Sequence, residues 1–311
     1  MSVSADDLPE LVRRKLAHQG VAGLVWLAAL PDVVSELERA WSITVGRPMP
    51  GGSTSFVAVA RTDDGSRAVL KVALPGHSLG MQADTLRRAD GRGYARLLGH
   101  QPAHEAILLE GLGTSMDRLD LSPERMIELL CQTLRQAWQV PAAGKSARPE
   151  EEKAAALGRF VQQAWEEQDH PCSERVIALA LEYADRRAAA FSLDRSVVAH
   201  GDPHPANALA VGSAREGAES GFVFVDPDGF LCDRGYDLGV ILRDWRDDLA
   251  AGHAPVVAQH YCQLLAQHSG VSADVIWEWG FLERVSTGLY ARAFGAADLG
   301  QSYLDSAESL L

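Results

Sequence analysis

The chain contains few cysteines, and they lie far apart. Four cysteines occur among 311 residues, and no two of them form a C-x-x-C pair. This spacing excludes a zinc-ribbon site, a thioredoxin-like redox motif and a dense disulfide framework. We therefore expect four buried free thiols in a protein of a reducing compartment.

An excess of positive charge is also absent, since the formal net charge is −13 at pH 7. A nucleic-acid-binding protein would present a basic face, so no nucleic-acid partner is expected. Residues 1–110 carry 12 basic and 12 acidic side chains, so the whole net negative charge lies in residues 111–311. This asymmetry indicates a site for a cation, although a solvated acidic surface would give the same count.

Long hydrophobic runs are missing as well. No stretch approaches the ~20 apolar residues of a membrane span, so no membrane partner is expected. The apolar run 21–30 follows three basic residues, but acidic residues precede them and no cleavage site follows, which excludes a signal peptide. Apolar residues from Leu27 to Trp41 instead recur at helical spacing, with Pro31 suited to a first turn. We expect a soluble, cytoplasmic protein.

The order of elements predicts a mixed α+β architecture with two lobes. Strand-like runs occur at 41–47, 54–61, 67–73, 94–98 and 106–110, with a short helix at 81–88 and a hairpin signal at 63–65. Beyond Gly113 the pattern is helical, interrupted by β-type segments at 197–211 and 221–226. We predict a β-rich N-terminal lobe, residues 1–110, and a mainly helical C-terminal lobe, residues 111–311.

The densest group of chemically active side chains lies in residues 200–207, which read His-Gly-Asp-Pro-His-Pro-Ala-Asn. Two prolines and a glycine predict a rigid loop, the kind of element that holds catalytic groups. Asp226 ends the next apolar strand, so Asn207 and Asp226 would converge if the two segments paired as a hairpin. An amide and a carboxylate suit Mg²⁺ better than zinc. If Asn207 and Asp226 bind the metal, Asp202 is free to act on a hydroxyl.

These motifs resemble those of a known family. Asp202 and Asn207 keep the spacing of the kinase catalytic loop H-R-D-x-x-x-x-N, and Asp226 stands at the position of the D-F-G aspartate. The segment 68–71, Ala-Val-Leu-Lys, resembles the kinase V-A-I-K strand. Together with Tyr-Asp-Leu at 236–238, the pattern is similar to the aminoglycoside phosphotransferase family, in its streptomycin and hydroxyurea phosphotransferase branch.

The resemblance implies a bilobal protein-kinase-like fold and an ATP- and Mg²⁺-dependent phosphotransferase that confers antibiotic resistance. Asp202 would be the catalytic carboxylate. The implied roles of the other residues are Mg²⁺ ligation by Asn207 and Asp226, phosphate binding by Gly51, Gly52, Ser53 and Lys71, adenine pairing by the backbone from Glu110 to Leu112, and support of the catalytic loop by His200 and Asp237.

One position departs from the kinase pattern. The helix glutamate that pairs with the strand lysine falls at Gln82, and the nearest carboxylate is Asp84. A glutamine can accept a hydrogen bond from Lys71 but does not neutralise its charge. The sequence alone leaves open which of the two side chains meets Lys71.

The acceptor stays open at this stage. A cationic aminoglycoside such as streptomycin is the favoured substrate, and a metabolite kinase acting on a sugar or amino alcohol is the main alternative. A metal-dependent hydrolase using His200 and His204, or nucleotide binding without catalysis, would be the other classes. A protein substrate is not expected, because only about ten residues separate Asp226 from the next predicted helix.

Overall fold

The computed structural model describes residues 8–49, 54–145, 152–245 and 254–311. The N-terminal part is built on a five-stranded antiparallel sheet with strand order β1-β2-β3-β5-β4. Its strands are Ile43–Pro48 (β1), Ser55–Thr62 (β2), Arg67–Ala73 (β3), Leu97–Gln101 (β4) and Ala106–Glu110 (β5). The predicted hairpin between β2 and β3 is confirmed, with Gly65 in the left-handed conformation that its turn requires.

Two helices cover one face of this sheet. Glu10–His18 (α1) and Val21–Trp41 (α2) place apolar side chains such as Val12, Leu30 and Val34 in one core with Leu70 and Val72 of β3. Because side chains alternate along a strand, Lys71 must point to the opposite face. There it meets the helix Gly80–Ala89 (α3). The sheet therefore directs Lys71 into the cleft.

Two predictions about local structure need correction. Pro31 was expected in the first turn of its helix, but α2 begins ten residues earlier and Pro31 lies inside it. The strand predicted at 94–98 begins only at Leu97, because Tyr94 pairs with Phe224 of the C-terminal part instead. The second error arises because a tertiary contact decides where the strand begins.

The C-terminal part is mainly helical, as predicted. Its helices are Pro123–Ala137 (α4), Lys153–Glu167 (α5), Glu174–Ala190 (α6), Arg234–Asp244 (α7), Ala254–Ser269 (α8), Ala273–Ala293 (α9) and Ala297–Glu308 (α10). Two short pairs of strands interrupt them, formed by Val197–Val198 (β6), Ala208–Ala210 (β7), Phe222–Phe224 (β8) and Leu231–Cys232 (β9). β7 pairs with β8, and β6 with β9. No helix of the described ranges is long and apolar enough to cross a bilayer.

Backbone hydrogen bonds join the two parts along one side. Gly93 donates to the Gly217 carbonyl at 2.7 Å and accepts from the Phe224 amide at 2.9 Å, and the Ala95 amide donates to the Phe224 carbonyl at 2.9 Å. Gly93 has φ +67°, and a Cβ there would lie 2.3 Å from the Ala137 nitrogen. Only glycine fits this close approach. We call this row of contacts the seam.

All four cysteines are free thiols, as the sequence predicted. Three of them are buried, but Cys172 is only half-buried, so the expectation of complete burial is wrong at that position. Burial raises the pKa of Cys131 and of Cys262 to about 12. These thiols are therefore protonated and unreactive at neutral pH.

Candidate active site

The β7–β8 hairpin brings the two predicted metal-binding residues together. Ala208 lies opposite Phe224 in the register, and the Val225 amide donates to the Asn207 carbonyl at 3.0 Å. Asn207 precedes β7 and Asp226 follows β8, so both lie at the same end of the hairpin. Asp226 has φ +58°, a strained conformation for a side-chain-bearing residue that fixes the direction of its carboxylate.

His200 holds the loop that carries Asp202. Its Nε2 donates to the Val225 carbonyl at 2.9 Å, and its Nδ1 accepts the Asp202 amide at 3.0 Å. The ring is buried, and burial lowers the pKa of His200 to about 4, so the imidazole is neutral. Both ring nitrogens are used in hydrogen bonds, which leaves neither for a metal. The described residues also contain no cluster of three or more His, Cys, Asp or Glu suited to a metal ion.

Asp237 lies beneath the same loop. Its carboxylate accepts the amides of His200 at 3.0 Å and Gly201 at 2.9 Å, and the Trp138 indole N–H at 2.8 Å. Complete burial raises the pKa of Asp237 to about 6, against the lowering effect of these three donors. The supporting role that the resemblance implies for Asp237 stays a prediction.

Asp202 is paired on both carboxylate oxygens. Arg243 of α7 donates to Oδ1 at 2.9 Å, and His204 Nε2 lies 3.2 Å from Oδ2. Burial alone would raise the pKa of Asp202, but the His204 hydrogen bond and the Arg243 charge outweigh it and hold the pKa well below its ordinary value. Asp202 is therefore ionised, and 43% of its side chain stays exposed to the cleft.

Lys71, Gln82 and Asp226 form a closed triangle. Lys71 Nζ lies 2.8 Å from Asp226 Oδ1 and donates to Gln82 Oε1 at 3.2 Å, while Gln82 Nε2 donates to Asp226 Oδ1 at 2.8 Å. Asp84 instead pairs with Arg88 and lies 3.4 Å from Lys145. Gln82 is thus the helix residue that meets Lys71, and Asp226 supplies the counter-charge that a glutamate would have given.

The donor set at Asn207 and Asp226 fits a hard cation. Asn207 Nδ2 donates to the Asp202 carbonyl at 2.9 Å, so its Oδ1 is left to act as a ligand. Asp226 is ionised, because the Lys71 charge outweighs burial and lowers its pKa. One amide oxygen and one carboxylate are ligands that Mg²⁺ accepts while it keeps water and phosphate oxygens.

The remaining predicted nucleotide-binding residues are those proposed to contact phosphate and adenine. Gly51, Gly52 and Ser53 lie outside the described residues. The amides of Glu110 and Gly111 are used within the fold, by the carbonyls of Arg96 at 3.0 Å and Arg67 at 2.8 Å. The Glu110 carboxylate is clamped by both terminal nitrogens of Arg215 at 2.6 Å. Within the predicted segment, the Leu112 amide is the one left for adenine.

The predicted catalytic, metal-binding and phosphate-binding residues Asp202, Asn207, Asp226 and Lys71 line one cleft of about 1490 Å³ between the two parts. Its wall beyond Asp202 contains residues that sequence analysis did not single out, namely Lys153, Phe160, Asp228, Phe230, Arg243, Glu283, Tyr290 and Phe294. The D-x-D spacing of Asp226 and Asp228 was visible in the sequence. No spacing rule connects Arg243 or Lys153 with a loop 40 or more residues away in the chain.

Comparison with known proteins identifies the family. Residues 40–295 match the family of aminoglycoside/hydroxyurea antibiotic resistance kinases. A streptomycin 6-kinase of Streptomyces glaucescens is 28% identical over 307 residues, which cover 98% of this chain and 97% of that protein. A hydroxyurea phosphotransferase of Kitasatospora aureofaciens is 27% identical over 261 residues, covering 78% and 72% respectively.

Among solved structures, a spectinomycin phosphotransferase in complex with ADP and spectinomycin shares the fold with a TM-score of 0.53 and 15% identity, covering 90% of this chain and 93% of that one. The predicted bilobal protein-kinase-like α+β class and the predicted branch are confirmed. The chain therefore belongs to the aminoglycoside/hydroxyurea antibiotic resistance kinases, phosphotransferases that use ATP as co-substrate and an alcohol group as acceptor.

Proposed function

We propose that this kinase phosphorylates a hydroxyl group of a cationic antibiotic of the streptomycin type and thereby confers resistance. The observation that carries the proposal is the convergence of Lys71, Asp202, Asn207 and Asp226 in one cleft. A streptomycin 6-kinase relative that matches nearly the whole chain supports the acceptor class. A cytoplasmic location remains a prediction.

The nucleotide occupies the side of the cleft formed by residues 1–110. Lys71 reaches the α- and β-phosphates, and Gly51, Gly52 and Ser53 stay predicted phosphate-binding residues. The segment from Glu110 to Leu112 pairs with adenine, and the Arg215 clamp on Glu110 holds that segment in place. To reach phosphate, Lys71 exchanges its contact with Asp226 for the nucleotide.

Asn207 and Asp226 hold Mg²⁺. When bound, Mg²⁺ neutralises the phosphate oxygens and orients the transferred group. Asn207 contributes its side-chain oxygen, since its nitrogen is tied to the catalytic loop. The strained backbone at Asp226 fixes the second ligand, and the Lys71 charge keeps it ionised.

Asp202 orients the acceptor hydroxyl. Because Arg243 and His204 hold its pKa low, it is a weak base in the ground state. Phosphoryl transfer passes through a loose transition state and demands positioning more than early proton removal. Asp202 therefore aligns the hydroxyl first and accepts its proton as the new P–O bond forms and the bond between the γ-phosphorus and the ADP leaving group breaks. His200 and Asp237 keep the loop rigid during this step.

The acceptor binds to the side of the cleft formed by residues 111–311, which carry the whole negative excess of the chain. Asp202, Asp228 and Glu283 face this space, although Arg243 and His204 offset part of their charge. A cationic acceptor is drawn to such a field over distances of about a Debye length, ~8 Å at physiological ionic strength.

The test is ADP release with streptomycin, hydroxyurea, spectinomycin and a panel of sugars and amino alcohols, with mass spectrometry for an added phosphate. Asp202→Ala is expected to lower kcat by ~10²-fold or more, the usual effect of a positioned proton acceptor, with Mg·ATP affinity little changed. Asp298→Ala, at an exposed site on α10, is the matched control. Near-normal turnover of Asp202→Ala, or phosphorylation of sugars alone, would refute the proposal.

A further inference from the structure

A positive charge of the chain itself occupies the acceptor side of the cleft. Lys153, the first residue of α5, places its ammonium 5.0 Å from the ring centroid of Phe230 and 5.0 Å from that of Tyr236. Among the described residues, none accepts a hydrogen bond from this ammonium or forms an ion pair with it. Two aromatic faces therefore provide its whole direct environment within the described part of the chain.

The two rings form a fixed corner. Phe230 and Tyr236 lie edge to face, with centroids 5.2 Å apart and planes at 73°. The Tyr236 hydroxyl donates to Glu283 Oε1 at 2.8 Å, and its ring packs against Trp279 at 5.0 Å. Because Tyr236 is held at both ends, the corner keeps its shape whether or not an ammonium fills it.

An unpaired carboxylate faces the same corner. Asp228 forms no side-chain hydrogen bond or ion pair with any described residue, and its backbone amide is anchored on the His200 carbonyl at 2.7 Å. A Cβ at Gly201 would lie 2.5 Å from Asp228 Oδ2, so the carboxylate lies directly against the catalytic loop.

A corner of two electron-rich faces beside a free carboxylate is a binding site for a cation. Lys153 fills this corner but does not form an ion pair with Asp228. A lysine at the first position of a helix can leave by rotating its four-carbon stem into solvent, without moving the backbone. The corner and Asp202 line the same cleft, and Asp202 is where the reacting end of an acceptor must lie.

We propose that Phe230, Tyr236 and Asp228 form the subsite for a positively charged group of the acceptor, and that Lys153 is an internal occupant which this group displaces. The proposal rests on the proposed function for the identity of the acceptor. It predicts opposite effects for two residues of one site. Removal of Lys153 strengthens cation binding, because a competitor is lost, and neutralisation of Asp228 weakens it.

The first test needs no acceptor. n-Propylammonium reproduces the end of a lysine side chain, and n-propanol is its neutral control. Ligand-detected NMR is expected to show n-propylammonium binding to Lys153→Ala, with no binding to the parent protein or to the double variant Lys153→Ala/Asp228→Asn. Lys15→Ala removes the same charge from a residue of α1 that does not line the cleft, and is expected to behave as the parent. Equal binding to parent and Lys153→Ala, or binding to neither, overturns the proposal.

The second test uses streptomycin with Mg·ADP present, measured by calorimetry. Lys153→Ala is expected to tighten streptomycin by about fivefold, and Asp228→Asn to weaken it by about tenfold, the range given by losing one desolvated cation contact or charge partner. Hydroxyurea, which is uncharged, is expected to change little. Weaker streptomycin binding by Lys153→Ala would show that Lys153 is an acceptor ligand and overturn the proposal.

Circular dichroism and Mg·ATP affinity establish that each variant is folded. The two proposals can fail separately. If no member of the acceptor panel causes ADP release while Lys153→Ala still gains n-propylammonium binding, then the proposed function fails and the cation subsite stands.

Discussion

Replacing Gln82 with glutamate tests the triangle that links the strand lysine to the metal site. The new carboxylate keeps the contact with Lys71 that Gln82 makes at 3.2 Å. It cannot donate to Asp226 Oδ1, however, and it places a second negative charge 2.8 Å from that oxygen. The substitution therefore makes the metal-free protein less stable while it supplies the ion pair that the kinase pattern expects.

The size of the effect follows from the distances. With an effective dielectric constant of about 20, the repulsion from Asp226 is about 6 kcal/mol and the attraction to Lys71 about 5 kcal/mol, and the lost hydrogen bond adds roughly 1.5–3 kcal/mol. Solvent screening reduces the sum, because 44% of the Asp226 side chain is exposed. We expect the free energy of unfolding to fall by about 2 kcal/mol. With an unfolding entropy of ~2.1 cal/mol/K per residue, this corresponds to a fall in Tm of about 3 °C.

The assay is thermal unfolding with and without Mg·ATP. When Mg²⁺ occupies Asp226, the repulsion is offset and the pair with Lys71 remains, so the increase in Tm caused by Mg·ATP is expected to be about 3 °C larger in Gln82→Glu than in the parent. Gln139→Glu adds the same charge at an exposed site and serves as control. An unchanged Tm of the ligand-free variant, or a smaller increase with Mg·ATP, would refute the triangle.

Three further predictions concern the metal, the loop and the acceptor. Asn207→Ala and Asp226→Asn are each expected to raise the Mg²⁺ concentration for half-maximal turnover at least about tenfold. Without Mg²⁺, calorimetry is expected to show unchanged ATP affinity for Asn207→Ala, which leaves the Lys71–Asp226 ion pair intact. Equal Mg·ATP affinity in parent and variants would place the metal elsewhere. The folded-state pKa of His200 lies at about 4, below its ordinary 6.5, so its stabilising contribution is complete above pH 6.5 and is lost as the pH falls. The difference in unfolding free energy between the parent and His200→Asn is therefore expected to shrink by about 3 kcal/mol from pH 6.5 to 4. A pH-independent difference would contradict the neutral ring. The KM for streptomycin is expected to rise with salt at saturating Mg·ATP, and a flat profile would exclude electrostatic selection.

The sequence predicted the part of the site that depends on local order. Asn207 and Asp226 flank two apolar strands, and pairing of those strands alone brings them together. Lys71 alternates with core residues of β3, so its direction follows from the period of the strand.

The sequence could not predict contacts that the tertiary fold creates. Arg243 reaches Asp202 because α7 passes beneath the catalytic loop, and Lys153 reaches Phe230 because α5 begins at the rim of the cleft. Tyr94 lies in a strand-like run yet pairs with the hairpin of the other part. In each case residues distant in the chain decide the outcome, and one sequence carries no signal for their proximity.

The seam determines how the two parts can move relative to each other. On one side of the cleft they are joined by backbone hydrogen bonds at Gly93 and Ala95, and by the Arg215–Glu110 ion pair. On the other side, Lys71 and Gln82 reach Asp226 through side chains alone. A rotation that preserves the backbone bonds must therefore use the joined side as its hinge axis and open the cleft at Asp226. We expect Mg·ATP to enter and ADP to leave on that opening side, with separation of Lys71 from Asp226 as one step of the opening.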